Sequence, residues 1–374
     1  MKSRAVISVA LLSVVLILTA LFGCSTNTVV NSAEGTPTPL PEETMNVGTP
    51  PSDDYVTTID DSNTADAEPS ENPAKETIGF IVADDGGLLT RSAMHGLLRT
   101  AENLNYPSIL YRVTSEDSAI DLVDRAASEG CAGLVIWVES QEMANAAKYA
   151  KQKEIPVVAS MANGNANTFN IDADSVLSAD PMDYSRETVR TMCETAISRG
   201  NKEGTIIIAR QEGKDQYMVD AFQAAINELY PQYTLTDIPV LATREATEAS
   251  AKEYLKDGNN REIIGIFALA PSASSAWYNA EIAAEKQYDF KINPAIMALD
   301  YTDENLSLVG SSNILGLIAR PYYTCAAQAT MVLDSLLNGA DIQESIRVNA
   351  PIIRRKDIEK YSSIVNEVKT WFGM

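Results

Sequence analysis

The sequence predicts an α/β protein of two Rossmann-like lobes with parallel sheets, joined by a hinge that the chain crosses more than once. Three observations lead there. After a polar N-terminal stretch about 300 residues remain, more than one hydrophobic core usually serves. Short β-branched runs then alternate with amphipathic stretches in two series of the same order. Finally, a segment follows the second series and has no counterpart in the first, as expected if the chain returns between lobes.

The first 24 residues, MKSRAVISVALLSVVLILTALFGC, set Lys2 and Arg4 before an apolar run from Ala5 to Phe22. That is the layout of an export signal. Leu21-Phe22-Gly23-Cys24 resembles the bacterial lipobox, with Phe22 where a smaller residue is usual, and the resemblance implies that the Cys24 thiol carries a lipid. An uncleaved membrane anchor is the alternative. Either reading puts the rest of the chain outside the cytoplasm, held to the membrane.

Residues 25–76 are rich in Thr, Pro, Ser, Asn and acids and poor in aliphatic and aromatic side chains. Such a segment cannot bury enough apolar surface to fold. It is expected to be a tether with a reach of about 40 Å, a mucin-like or partner-binding tail being the alternative. Its acids, from Glu34 to Glu76, face only Lys75 and account for part of the net charge of −22. That balance argues against a nucleic-acid partner, whose backbone is met mainly by Lys and Arg.

The first βαβ series runs through TIGFIVADD, SAMHGLLRTAENLN, SILYRVTS, AIDLVDRAASEG, GLVIWVES, QEMANAAKYAKQKE and IPVVASMAN, and ends near 169–174. A long helix follows at YSRETVRTMCETAISRG, with Gly200 as its stop. The second series runs from GTIIIARQEG through DQYMVDAFQAAINELYP, YTLTDIPVLAT, EATEASAKEYLKDG, EIIGIFALAPS and SSAWYNAEIAAEKQ to PAIMALDY. Then come NILGLIARPYY, a helix TCAAQATMVLDSLLNG and a final strand pair around SIRVNAPIIRRKDI. One lobe is expected over 77–177, completed by about 321–348. The other is expected over 178–320, completed by about 349–374.

Ligands of open parallel sheets bind outside the carboxyl ends of the strands, where helix N-termini and loops converge. Those positions hold Asp84 and Asp85, Trp137 and Glu139, and 161–163 in the first lobe. In the second they hold 211–216, 269–272 and Asp300, with Arg320 and Tyr322 near the return. Asp84, Asp85, Trp137, Gln216, Asp300 and Arg320 are the candidate ligand-binding residues. Asp84-Asp85-Gly86-Gly87 is equally a turn and cap signal, and Trp137 is equally a core residue.

Chemistry is not expected. The single histidine, His95, lies in a helical pattern without a nucleophile elbow, an HExxH pair or a phosphate-binding loop. Cys131, Cys193 and Cys325 form no disulfide or metal spacing and read as small buried hydrophobes. No catalytic residue, cofactor or metal is expected.

The order and spacing from Thr77 to about Tyr361 resemble the type I periplasmic binding proteins of the ribose and galactose class, whose core is shared with LacI-type repressors. IGFIVADDGG, HGLLRTAENLNY, AAKYAKQKEIPVVAS, AFQAAINELYP, PAIMALDYTDE and LGLIARPYYTCAAQATMVLDSLLNGADI carry the resemblance jointly. A repressor would open with a helix-turn-helix where this chain has a lipobox and tether. The resemblance implies a monomeric lipoprotein that closes on a small polar solute, a carbohydrate or related compound, and delivers it to ABC permease subunits. A receptor-coupled sensor and a scaffold or hydrolase with a degenerate cleft are the alternatives. Asp300 stands where the family's second-lobe aspartate accepts hydroxyl hydrogen bonds, Arg320 where a polar hinge residue is common, and Gln216 where the ribose class carries an arginine. Leu89 and Thr90 replace the family's aromatics after the first strand, Met161-Ala162 its Asp-Arg pair, and Ala270 its asparagine.

Overall fold

The computed structural model describes residues 75–114, 116–164, 168–256, 262–270, 272–288 and 293–374. The export signal, Cys24 and nearly all of the expected tether lie outside the described residues. At the end of that tether Lys75 already belongs to the fold, because its ammonium donates to Asp334 at 2.8 Å and sits 4.1 Å from the Tyr106 ring centroid.

In the first lobe the elements alternate: β1 (Ile78–Ala83), α1 (Leu88–Asn103), β2 (Ser108–Val113), α2 (Ala119–Ser128), β3 (Gly133–Trp137), α3 (Gln141–Gln152), β4 (Val157–Met161) and β5 (Ser175–Ser178). The second lobe repeats the scheme with α4 (Pro181–Ser198), β6 (Gly204–Gln211), α5 (Gln216–Leu229), β7 (Tyr233–Val240), α6 (Arg244–Lys256), β8 (Ile263–Ala268), α7 (Ala273–Tyr288), β9 (Ala295–Leu299), α8 (Asp303–Gly310) and β10 (Gly316–Ile318). The return comprises α9 (Tyr322–Leu337), β11 (Ser345–Arg347), β12 (Ile352–Ile353) and α10 (Ile358–Phe372). Central strands such as β3, β4, β8 and β9 are buried along their whole length. A parallel strand covered on both faces therefore reads as an unbroken apolar run.

Two six-stranded sheets result, ordered β11-β5-β4-β3-β1-β2 and β12-β10-β9-β8-β6-β7. The chain thus passes between sheets after β5, after β10 and after β11. The sequence suggested that β11 and β12 pair with each other, and they do not. β11 adds in parallel to β5 and β12 adds antiparallel to β10, so each edge recruits a strand from the far end of the chain. The crossings are tied together by backbone bonds: Ala319 N–H donates to Pro351 at 3.0 Å and Val348 N–H to Ser178 at 2.8 Å.

Local signals place the helix ends. Gly86 takes φ +75 in the turn before α1, a conformation glycine adopts without the Cβ penalty. At α4, Asp180 caps the start by accepting from Met182 N–H, Pro181 sits at the first position, and Gly200 follows the end with φ +89. Lobe one is completed by α9 packed on α1, where a Cβ on Gly96 would stand 2.5 Å from the Tyr323 carbonyl oxygen. Only glycine allows that approach.

The last helix belongs to neither lobe alone. Val365 of α10 joins the core cluster of the second lobe, whereas Phe372 packs on that of the first and Trp371 meets His95 edge-on, ring centroids 4.8 Å apart.

On α7, Glu281 is buried, and that burial together with the charge of Glu285 raises its pKa to about 7, against the opposing pull of Arg199 and the Asn293 N–H. Between about pH 4.5 and 7 the native state therefore keeps a proton that the unfolded chain has released. Stability should fall as pH rises through this window, by on the order of 2–3 kcal/mol. Glu281→Gln is expected to flatten that part of the curve in denaturant titrations; equal slopes in variant and parent would contradict the assignment.

Candidate ligand-binding cleft

The strands of both sheets end toward a gap between the lobes, and a cavity of about 470 Å³ opens there. Its walls come from the ends of β3 and β4 (Glu139, Asn163), from Phe169 ahead of β5, from the start of α4 (Asp180) and from the start of α5 (Asp215, Tyr217). Arg320, on the second crossing, closes the back. A smaller cavity of about 180 Å³ adjoins it, lined by Leu89, Gln211, Leu269, Ala270 and Asp300 among others. Asp215 and Arg320 border both, so the two spaces form one cleft with the arginine between them.

Arg320 organises the cleft. Its Nε donates to Asp300 Oδ1 at 2.8 Å and its Nη2 to Asp300 Oδ2, a two-pronged pair in which the side chains are 12% and 8% exposed. The remaining nitrogen, Nη1, donates to Asn163 Oδ1 of the first lobe at 2.8 Å, and Asn163 Nδ2 in turn donates to the Tyr322 hydroxyl at 3.0 Å. The network therefore links both lobes through a hinge residue. Burial works to lower the Arg320 pKa, but the charge and hydrogen bonds of Asp300, helped by the Tyr322 and Tyr217 hydroxyls, carry it well above its usual value. Its charge is fixed. Asp300 and Asp215 both take left-handed backbone conformations, φ 69 and 56, which Asp tolerates better than most residues.

Glu139 lies just beyond β3. Its Oε1 accepts from Trp137 Nε1 at 2.9 Å. Its side chain keeps solvent access along the cleft, yet the surrounding protein pushes its pKa up, and the charge of Asp85 adds to the rise. The Trp137 N–H and Arg320 pull the other way.

The structure separates the six candidates. Asp300 and Arg320 stand together on the cleft. Asp84 is committed elsewhere, to Gly86 N–H at 2.8 Å and to Arg112 at 3.3 Å and Arg91 at 3.8 Å. Asp85 accepts from Gly87 N–H at 2.8 Å, the turn that opens α1, and reaches the cleft only through its field on Glu139. Trp137 offers no face to a ligand: it is fully buried and its ring lies 5.5 Å from that of Tyr322, behind the wall. Gln216 points outward, accepting from Arg210 at 2.9 Å and donating to Asp220 at 2.8 Å.

Sequence reasoning did not single out Phe169, Asp180 and Tyr217, and covered Asp215 only within the 211–216 segment. A lone aromatic in a polar loop and an Asp-Pro helix start were the available signals for the first two. Three of the departures from the sugar-binding pattern, Leu89, Ala162 and Ala270, do line the cleft. The wall is thus furnished differently at the expected positions.

A family model described as a periplasmic binding protein domain matches residues 78–341. Among solved structures, the chain is similar to the sugar-binding protein of a sugar ABC transporter from Bacillus halodurans, with 17% identity, TM-score 0.61, and coverage of 76% of this chain and 100% of that one. AraP, an arabinose binding protein from Geobacillus stearothermophilus, gives 17% identity and TM-score 0.60 over 77% and 99% of the two chains. A periplasmic solute binding protein of an ABC transporter from Actinobacillus succinogenes 130z, with bound D-allose, gives 16% identity and TM-score 0.58 over 77% and 100%. No curated protein matches the sequence. At these identities the likeness is one of fold.

Proposed function

Because the chain belongs to the periplasmic binding protein family, we propose that it is an extracytoplasmic solute-binding protein that captures a small polyhydroxylated compound, a carbohydrate or a close relative, between its lobes. The observation that carries this reading is the cavity of about 470 Å³ walled by both lobes and backed by a hinge arginine. That volume is in the range of small-molecule sites, and its lining of two aromatic residues among a few polar groups suits a ring with hydroxyls. Several of the structural neighbours carry sugar-binding names. The protein binds without turnover and hands its ligand to the permease subunits of an ABC importer, held at the membrane by a lipid on Cys24.

Closure supplies the specificity. Rotation about the three crossings brings Asp215 and Tyr217 of one lobe against Glu139 and Asn163 of the other, so a ligand that touches both sides stabilises the closed form by its differential affinity.

Calorimetric titration against pooled sugars, polyols, nucleosides and peptides tests the reading. Saturable heat from a polyhydroxylated pool is expected, and Asp215→Ala should weaken that ligand about tenfold or more by removing a charge-assisted hydrogen bond. Turnover of any pool member would contradict a binding protein, and an unaffected Asp215→Ala variant would move the site elsewhere.

A further inference from the structure

The larger of the two cleft cavities is lined by an excess of negative charge. Glu139, Asp180 and Asp215 line it, and among the described residues Arg320 is its only cationic side chain. That cation is already neutralised, because two of its nitrogens meet Asp300. None of the three carboxylates is in an ion pair among the described residues. Glu139 accepts the Trp137 N–H, Asp180 accepts the Met182 N–H at 2.9 Å, and Asp215 makes no side-chain capping bond to the helix it starts.

Two further features point to what the cleft takes. The hydroxyl of Tyr184, a residue only 3% exposed, has no hydrogen-bond partner among the described residues, and it stands within electrostatic reach of Tyr217, Arg320 and Asp300. The side chain lines neither cavity, yet it leaves a donor and acceptor buried and unsatisfied within electrostatic reach of the Arg320 network. Phe169 and Tyr217 also line the cavity, and aromatic rings can attract a cation over their faces.

Each candidate ligand class fares differently here. A neutral sugar would close the lobes over three carboxylates, stripping their water without supplying a counter-charge. An acidic or phosphorylated sugar would add like charge, and among the described residues no unpaired cation lines the cavity to receive it. A bare metal ion finds no cage, since no three acidic, His or Cys side chains among the described residues stand close enough to hold one. Carboxylates set apart around a cavity suit an extended organic cation, with hydroxyls left for Asn163 and the tyrosines.

Resting on the reading of this cleft as the binding site, we infer that its solute carries a protonated amine: an amino sugar or an aminopolyol.

The test is calorimetric titration of the whole protein with matched probes: glucose, glucosamine and glucuronate, and glucitol with 1-amino-1-deoxyglucitol. In buffer of about 50 mM salt, where screening is modest, the amine member of a pair should bind about tenfold tighter than its neutral parent. Glucuronate should bind most weakly. Glu139→Gln and Asp215→Asn should each reduce the amine-to-neutral ratio, a change that a merely misfolded variant, weak for both probes alike, would not give. A neutral parent bound as tightly as its amine overturns the charge inference and leaves the solute-binding reading standing. Failure of these probes and of every neutral pool to give heat overturns both.

Discussion

Arg320→Ala is expected to lower stability by about 3–5 kcal/mol, because it leaves the Asp300 carboxylate buried without its counter-charge. The same change strips the Asn163 amide oxygen of its donor at 2.8 Å, so the first lobe loses its side-chain tie to Arg320. Replacing both partners, Arg320→Leu with Asp300→Leu, removes the unpaired charge and should cost much less than the sum of the single changes. Denaturant titration of the parent, both single variants and the double variant forms the cycle; additive losses would mean that the pair is not coupled and that the hinge is held by its backbone bonds alone.

Several features of this architecture are legible in the amino-acid order, for reasons that can be stated residue by residue. Runs such as GLVIW and IIGIFA are apolar throughout because helices cover both faces of their sheets, and that signal survives without any partner. Strand β5 has only four residues and no local pattern announces it; the strand at SIRV is legible, but not its pairing with β5 across 169 positions of chain (Ser345 with Val176). At the cleft, Asp300 and Arg320 were visible as strand-end residues. Their pairing was not, since it depends on β9 and β10 lying side by side.

Register decided the misses. Gln216 is the first residue of α5, and one step either way along the helix start, at Asp215 and Tyr217, the side chains line the cavity while Gln216 does not. Trp137 and Glu139 share a face by the two-residue period of a strand. Trp137 is still within the ladder, opposite Ser160, whereas Glu139 lies past its end and reaches the cleft. Burial follows the end of the ladder, which the sequence does not mark.

That difference gives Trp137 a role of its own. Trp137→Ala should cost about 3–5 kcal/mol, the usual loss when a fully buried aromatic is cut back and the space cannot collapse. The void would open directly behind Glu139 and Tyr322, so the variant should bind ligand weakly as well as unfold early. Trp137→Phe separates the two effects. It keeps most of the packing against Tyr322 but removes the N–H that Glu139 accepts at 2.9 Å. The protein around Glu139 already raises its pKa, and that N–H opposes the rise, so its loss should carry the carboxyl higher still. A group whose native pKa is raised loses its stabilising proton as pH climbs, so the gap in stability between Trp137→Phe and the parent should widen above the ordinary carboxylate range. Repeating the comparison in a Glu139→Gln background should abolish that widening. A pH-independent gap in both backgrounds would show that Trp137 acts on the cleft through packing alone and that its hydrogen bond sets nothing about the charge of Glu139.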